Sequence, residues 1–316
     1  MAERAILLPG TAFGLPDRRS LAMLIDCPPT PPTNMSSPAQ NPLPNAQSLA
    51  FIGGGNMARS LIGALVRSGT DAQKISVAEP NEVAREQLAR DFGVNGFAEA
   101  VDAVREADVI VLAVKPQVMR TVCASLAAAL DSSRPLIISI AAGLQSAQID
   151  RWLGGGFPIV RCMPNTPSLI GAGATGMIAN AAVDVAGRDL AESILGATGL
   201  VVWVDREALI DTVTGVSGSG PAYFFLMIEA LEDAGVTEGL PRETARALAI
   251  QTCLGAARMA SEDGETPARL RERVTSPNGT TAAALKAFAE GGLHELVAKA
   301  VKAAKLRGAE MSRELD

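Results

Sequence analysis

Histidine is almost missing from this chain: among 316 residues there is one, His294, close to the C-terminus. A Ser-His-Asp relay or a histidine-ligated metal centre has too little to be built from, so no metal site is expected. Cysteine is sparse as well. Cys27, Cys123, Cys162 and Cys253 lie far apart, form no CxxC pair, and read as free thiols of a reducing cytoplasm. No apolar run approaches the length that spans a bilayer. A net charge of −6 without a basic run leaves no electrostatic footprint for nucleic acid. With the usual reactive side chains so few, the chemistry points to a group borrowed from a cofactor.

What is present is ordinary globular material, 48% hydrophobic and 20% charged, over a length that allows two cores. The organising stretch is LAFIGGGNMARS, Leu49 to Ser60. Leu49 to Ile52 reads as a buried strand, Gly53-Gly54-Gly55 as a tight turn, and Asn56-Met57-Ala58 as the opening of a helix. The spacing is G-x-G-x-x-A at Gly53, Gly55 and Ala58. Gly53 can take a positive φ, and Gly55 lets a pyrophosphate approach the backbone at a helix N-terminus. Alone, the same residues would fit an ordinary glycine turn.

The rest of the chain decides between these readings. Residues 1–47 hold nine of the nineteen prolines, including Pro28-Pro29-Thr30-Pro31-Pro32, and read as a disordered leader with Met35 a candidate start. Lys74 to Glu79, Asp108 to Val114, Leu136 to Ile140 and Ile159 to Cys162 then read as further strands, with helices from Val83 to Phe92 and after Pro116. Such βαβ units build a doubly wound sheet. Glu79 closes the second strand, where a carboxylate accepts hydrogen bonds from a free 2′-OH and repels a 2′-phosphate; a solvated strand-end charge is the alternative.

After a last strand at Leu200 to Val204, everything reads as helix: Glu207 to Val216, Pro221 to Ala234, Arg242 to Ser261 and Thr280 to Leu306. The third is apolar over much of its circumference, which fits a subunit interface or the centre of one bundle. The expected fold class is therefore α/β, an N-terminal Rossmann-like doubly wound sheet (48–204) followed by an all-helical domain (205–316).

Six motifs in order carry a resemblance to the pyrroline-5-carboxylate reductase family. They are IGGGNMA from Ile52, AVKPQ from Ala113, SIAAG from Ser139, RCMPNTP from Arg161, GVSGSGPAY from Gly215 and VTSPNGTT from Val274. The resemblance runs from about Leu49 to the C-terminus. It implies that Ile52, Gly53, Gly54, Gly55, Asn56 and Met57 hold the pyrophosphate of NADPH or NADH. It implies too that Ala113, Val114, Lys115 and Pro116, with Ile140, Ala141 and Ala142, line the dinucleotide. Glu207 matches a position near the substrate's ring nitrogen. Ser276, Thr280 and Thr281 match a carboxylate-binding loop supplied by the partner subunit of an interlocked homodimer, so the helical domain becomes a dimerisation domain. Ser, Gly and Thr also suit a donor-rich nest, although the same residues could cap and turn a helix.

Three positions depart from the family pattern. Asn278 stands where the loop has glycine, and Asn tolerates left-handed geometry. Thr266 replaces a histidine. Glu79 replaces a small hydroxyl residue, which leaves NADPH against NADH open. Lys115 reads as a solvated or cofactor-facing charge ahead of a proton donor.

The implied reaction is hydride transfer from a reduced nicotinamide to C5 of the cyclic imine, 1-pyrroline-5-carboxylate, in a cytoplasmic enzyme of proline biosynthesis. Its substrate is the only partner expected besides a second copy of the chain; neither nucleic acid nor membrane is. Three other readings stand beside it. A β-hydroxyacid dehydrogenase needs a lysine that Pro221 to Ala234 lacks. An imine reductase for another ring, and a dinucleotide-binding regulator without turnover, are separated from it by assay.

Overall fold

The computed structural model describes residues 47–131 and 133–315; the leader expected over 1–47 lies, apart from Gln47, outside them. Eight strands form one sheet: β1 (Leu49–Ile52), β2 (Ile75–Ala78), β3 (Asn95–Phe97), β4 (Val109–Leu112), β5 (Leu136–Ser139), β6 (Ile159–Met163), β7 (Gly173–Ala179) and β8 (Gly199–Trp203). Their order is β3-β2-β1-β4-β5-β6-β7-β8. All neighbours are parallel except β6 and β7, which run antiparallel. Strand succession reverses direction between β1 and β4, and that crevice is where a doubly wound sheet binds its ligand.

Alternation along the strands splits the apolar residues between two cores. Leu49, Phe51, Val109, Val111 and Ile138 face one side, packed by α1 (Asn56–Arg67) through Leu61, Ile62 and Leu65. Ala50, Ile52, Ile110, Leu112 and Ile137 face the other. There they meet Met119, Cys123 and Leu126 of α4 (Pro116–Ala127), after α2 (Glu82–Phe92) and the short α3 (Ala100–Ala103). Two further helices flank the sheet, α5 (Ser146–Leu153) and α6 (Val185–Gly196).

The helices that follow are α7 (Leu209–Val213), a π-turn over Thr214–Gly218, α8 (Gly220–Thr237), α9 (Arg242–Glu262), α10 (Pro267–Arg273), α11 (Thr280–Glu290) and α12 (Leu293–Glu314). α8 and α9 pack as a hairpin, and α12 packs on α7 and the π-turn. A Cβ on Gly215 would stand 2.7 Å from the carbonyl oxygen of Val301, so this crossing depends on glycine.

Several expectations need correction. The helix expected without a break from Thr280 to Leu306 stops at Gly291-Gly292, where Gly292 has φ +69° and divides α11 from α12. The helix expected from Glu207 starts at Leu209 and widens into the π-turn. β3 and β7 escape the apolar-run criterion, because NGF holds one apolar side chain, half-exposed, and GATGMIA opens on small residues and sets only Met177 and Ile178 as large buried ones.

Candidate functional site

The glycine turn closes onto its own neighbours. Gly53 has φ +101°, and a Cβ there would lie 2.9 Å from the carbonyl oxygen of Ala113, so only glycine keeps β1 and the β4–α4 link this close. The Gly53 N–H donates to the Ala78 carbonyl at 2.9 Å. Gly54 N–H donates to Glu79 Oε2 at 3.0 Å, and the Asn81 N–H donates to Glu79 Oε1 at 3.0 Å. The Glu79 carboxylate therefore braces the turn besides closing β2. Gly55 is different. A Cβ there meets nothing within 4 Å, and as N-cap of α1 it has no side-chain capping bond. The first N–H groups of α1, at Asn56 and Met57, lack intrahelical partners, and an anionic group is favoured at such a helix start.

Ile52, Gly53, Gly54, Gly55, Glu79, Ala113, Val114 and Lys115 line one cavity of about 660 Å³, walled on its far side by Ala98 to Val101 and by α4. Lys115 is the N-cap of α4 and Pro116 its first residue, where a missing N–H costs nothing. The cavity has the open glycine cradle, the strand ends and the apolar wall that a dinucleotide needs, so the residues fit the cofactor. Ile140, Ala141 and Ala142 follow β5 directly, ahead of Gly143, which has φ +74°.

Glu207 sits in a network that the sequence did not reveal. Its Oε1 accepts from the Ser146 N–H at 3.0 Å and from Arg161 at 3.1 Å; its Oε2 accepts from the Ser146 hydroxyl at 2.8 Å. The Arg161 guanidinium, 2% exposed, also donates to Asp211 Oδ1 at 3.2 Å. Glu207 keeps 31% of its side chain exposed. Ser146 and Asp211 were missed because neither lies in a motif. Arg161 offered one signal, a charge set within the apolar strand Ile159–Met163.

Asn165 clamps a second junction. Its side-chain amide donates to the Ser217 carbonyl at 3.0 Å and accepts from the Ala174 N–H at 2.9 Å. Gly218 leaves room for Met163, whose Cε a Cβ there would approach to 2.6 Å, and the Tyr223 hydroxyl donates to the Gly215 carbonyl at 3.0 Å. RCMPNTP and GVSGSGPAY are thus one packed unit, with the π-turn at its centre. Burial pushes the Cys123 thiol up to about 12, and the Cys162 thiol up further, so neither supplies a thiolate near neutral pH.

Ser276 and Thr280 are exposed and Thr281 is half-buried, in a turn closed by the Gly279 N–H donating to the Ser276 carbonyl at 3.1 Å. Asn278 takes the left-handed conformation, φ 56°, so the departure from glycine keeps that shape. The loop is absent from the residues that line the dinucleotide cavity of its own chain. Among the described residues no helix is long and apolar enough to cross a membrane.

Known proteins match both halves. A family model described as pyrroline-5-carboxylate reductase dimerisation covers residues 207–311, and one described as NADP oxidoreductase, coenzyme F420-dependent, covers 48–143. A pyrroline-5-carboxylate reductase of Pseudomonas aeruginosa is 51% identical over 267 residues, 84% of this chain and 97% of that protein. The solved structure of a pyrroline-5-carboxylate reductase from Coxiella burnetii is similar at TM-score 0.82 and 45% identity, over 85% of this chain and 99% of that one. The Plasmodium falciparum pyrroline carboxylate reductase, solved with NADP bound, is similar at TM-score 0.74 and 29% identity, over 85% and 99%.

Proposed function

The chain belongs to the pyrroline-5-carboxylate reductase family and is an NAD(P)H-dependent oxidoreductase, and from that premise we propose how its residues divide the work. It reduces 1-pyrroline-5-carboxylate to L-proline, the last step of proline biosynthesis. The observation that carries the site assignment is the open cradle at Gly55, set at the sheet's switch point over an apolar cavity.

In this proposal Ile52 to Met57 hold the pyrophosphate: the N–H groups of Gly55 and of the start of α1 donate to it, and Gly53 and Gly54, whose own N–H groups are already bonded, shape the turn. Ala113 to Pro116 and Ile140 to Ala142 line the dinucleotide with backbone, which fixes its rings without adding a competing charge. When bound, the reduced nicotinamide supplies a hydride. The protonated imine is already electrophilic: C5 takes the hydride, the C=N π pair moves to nitrogen, and the proton already there stays. The protein therefore needs to align two rings and hold a carboxylate rather than provide a strong acid.

Ser276, Thr280 and Thr281 take the substrate carboxylate, and they belong to the partner subunit of a homodimer. The exposure of the loop and its absence from its own chain's cavity lining support that assignment, as does the match to a dimerisation model. Glu207 contributes negative charge near the ring nitrogen; because both its oxygens accept hydrogen bonds from this chain, it acts by its field and not as a free base. The working compartment is the cytoplasm. The chain divides into a nucleotide-binding part over 48–204 and a helical part over 205–316.

Steady-state oxidation of NADPH and of NADH, with pyrroline-5-carboxylate as acceptor, tests this reading. Turnover with both cofactors is expected, since Glu79 stands where a ribose 2′-OH would lie. Glu79→Ser is expected to shift the ratio toward NADPH by about tenfold, the scale of one charge repulsion relieved. No turnover with either cofactor would overturn the assignment. An unchanged ratio would remove Glu79 from cofactor discrimination.

A further inference from the structure

We propose that Arg161 is a positioning residue for the reaction, acting through Glu207 on Ser146 to hold the turn between β5 and α5. The inference rests on the reading that this turn, through Ile140 to Ala142, lines the dinucleotide. Its own observations are separate.

Arg161 pairs with Ser139 in the β5–β6 ladder, so its backbone flanks the residue at which the turn begins. Its guanidinium leaves the sheet and spans two carboxylates, Glu207 at 3.1 Å and Asp211 at 3.2 Å. Glu207 then takes both donors of Ser146, the residue at which the turn ends and α5 begins. Both ends of the segment 139–146 are thereby tied to one residue, Ser139 by backbone pairing with Arg161 and Ser146 through Glu207 to its guanidinium. The first N–H groups of a helix lack internal partners, and here a remote carboxylate serves one of them.

The cluster is shielded. Gly308 of α12 lies against Asp211, with 3.5 Å left between a Cβ there and Oδ1, and the Arg161 Nε is buried without a partner. A buried charge tolerates only a narrow set of geometries, because each lost partner leaves it uncompensated. The fork geometry of arginine is what joins two acids and, through one of them, Ser146.

The test uses the full-length enzyme and compares Arg161→Lys, which keeps the charge but not the fork, with Ser146→Ala, which removes one hydroxyl. Hydrogen exchange of the amides over 140–147 is read first, without cofactor. Both variants are expected to exchange there roughly tenfold faster, with the rest of the sheet unchanged, as for the loss of one charge-assisted hydrogen bond. NADPH affinity, read by nucleotide fluorescence, should weaken by a similar factor. The isotope effect on kcat with C4-deuterated NADPH should rise, because a misaligned ring makes hydride transfer more limiting. The double variant should lose no more than the worse single one, since both cut the same chain of contacts.

Unchanged exchange at 140–147, or additive losses in the double variant, would overturn the proposal. If Arg161→Lys fails to fold, Ser146→Ala alone decides it by the same exchange and isotope readings. Wild-type turnover with pyrroline-5-carboxylate is the control: its absence strikes the function, whereas its presence with unchanged exchange strikes only the role of Arg161.

Discussion

Phe51 and Phe225 are the same side chain in opposite circumstances. In β1, Phe51 is 0% exposed between a sheet and its helices; in α8, Phe225 is 66% exposed. The contrast extends to their surroundings. Strands β1, β4 and β5 are buried at every position, whereas α8 and α9 leave Phe224, Leu226, Leu248, Ile250 and Leu254 facing outward. While the edge strand β8 leaves Leu200 and Val202 exposed, the inner strands have satisfied their hydrophobic surface within one chain. The helical hairpin has not, and contiguous apolar surface of this kind marks an interface. Residues 207–311 match a dimerisation model, so the two halves of the molecule bury their cores by different means, one within the chain and one between chains.

The sharpest way to break this contrast is Phe225→Glu. It is expected to dissociate the assembly, seen by light scattering on a sizing column, and to lower kcat/KM by about two orders of magnitude or more, since on the proposed assignment a missing partner removes the loop that holds the substrate carboxylate. Val185→Glu is the control. Val185 is as exposed as Phe225 but belongs to α6 on the sheet, and its variant should keep both size and activity. If the two variants behave alike, the proposed difference between the halves fails.

Ser276→Ala probes the same difference at the site. The KM for the imine is expected to rise about tenfold while the Kd for NADPH stays put, a split that follows if the loop binds only the carboxylate. A variant that weakened both equally would show the loop to be merely structural.

The sheet breaks from within. Gly53→Ala forces a non-glycine residue to φ +101° and toward the Ala113 carbonyl. A loss of about 1–3 kcal/mol in urea unfolding is expected, with weaker cofactor binding and an unchanged oligomer. Dissociation in this variant would blur the division that Phe225→Glu is meant to expose.

The same contrast explains what could be read in the sequence. β1, β4 and β5 were legible because a strand buried on both faces needs a continuous apolar run. The glycine cradle was legible because positive φ and close approach restrict the residue type. β7 was not: GATGMIA buries small residues under Val213, so its fit depends on a neighbour distant in sequence. The break at Gly291-Gly292 was masked by helix formers on both sides. Glu207 was found by resemblance, but its partners Ser146 and Asp211 could not be. A carboxylate 61 positions from its hydroxyl donor leaves no local pattern, and only the packing of α7 against the sheet brings them together.

The smallest effect expected concerns the hairpin's own stability. Glu232 of α8 accepts from Arg242 at 2.8 Å and from Arg246 at 2.9 Å, both on α9. Hydrogen bonds from Arg246 and then Arg242 hold its carboxyl below the ordinary 4.5. A group whose folded pKa is depressed stabilises the fold above its unfolded value and loses that contribution as pH falls through the folded one. Glu232→Gln should therefore melt somewhat below wild type at pH 7, and the gap should close as the pH is lowered beneath about 4.5. In the sheet half Arg59 of α1 also pairs with Asp91 of α2, but those two helices are joined through the buried strand β2 and pack on one core. A gap that stays constant across the titration would mean that α8 and α9 are held together by their apolar faces alone.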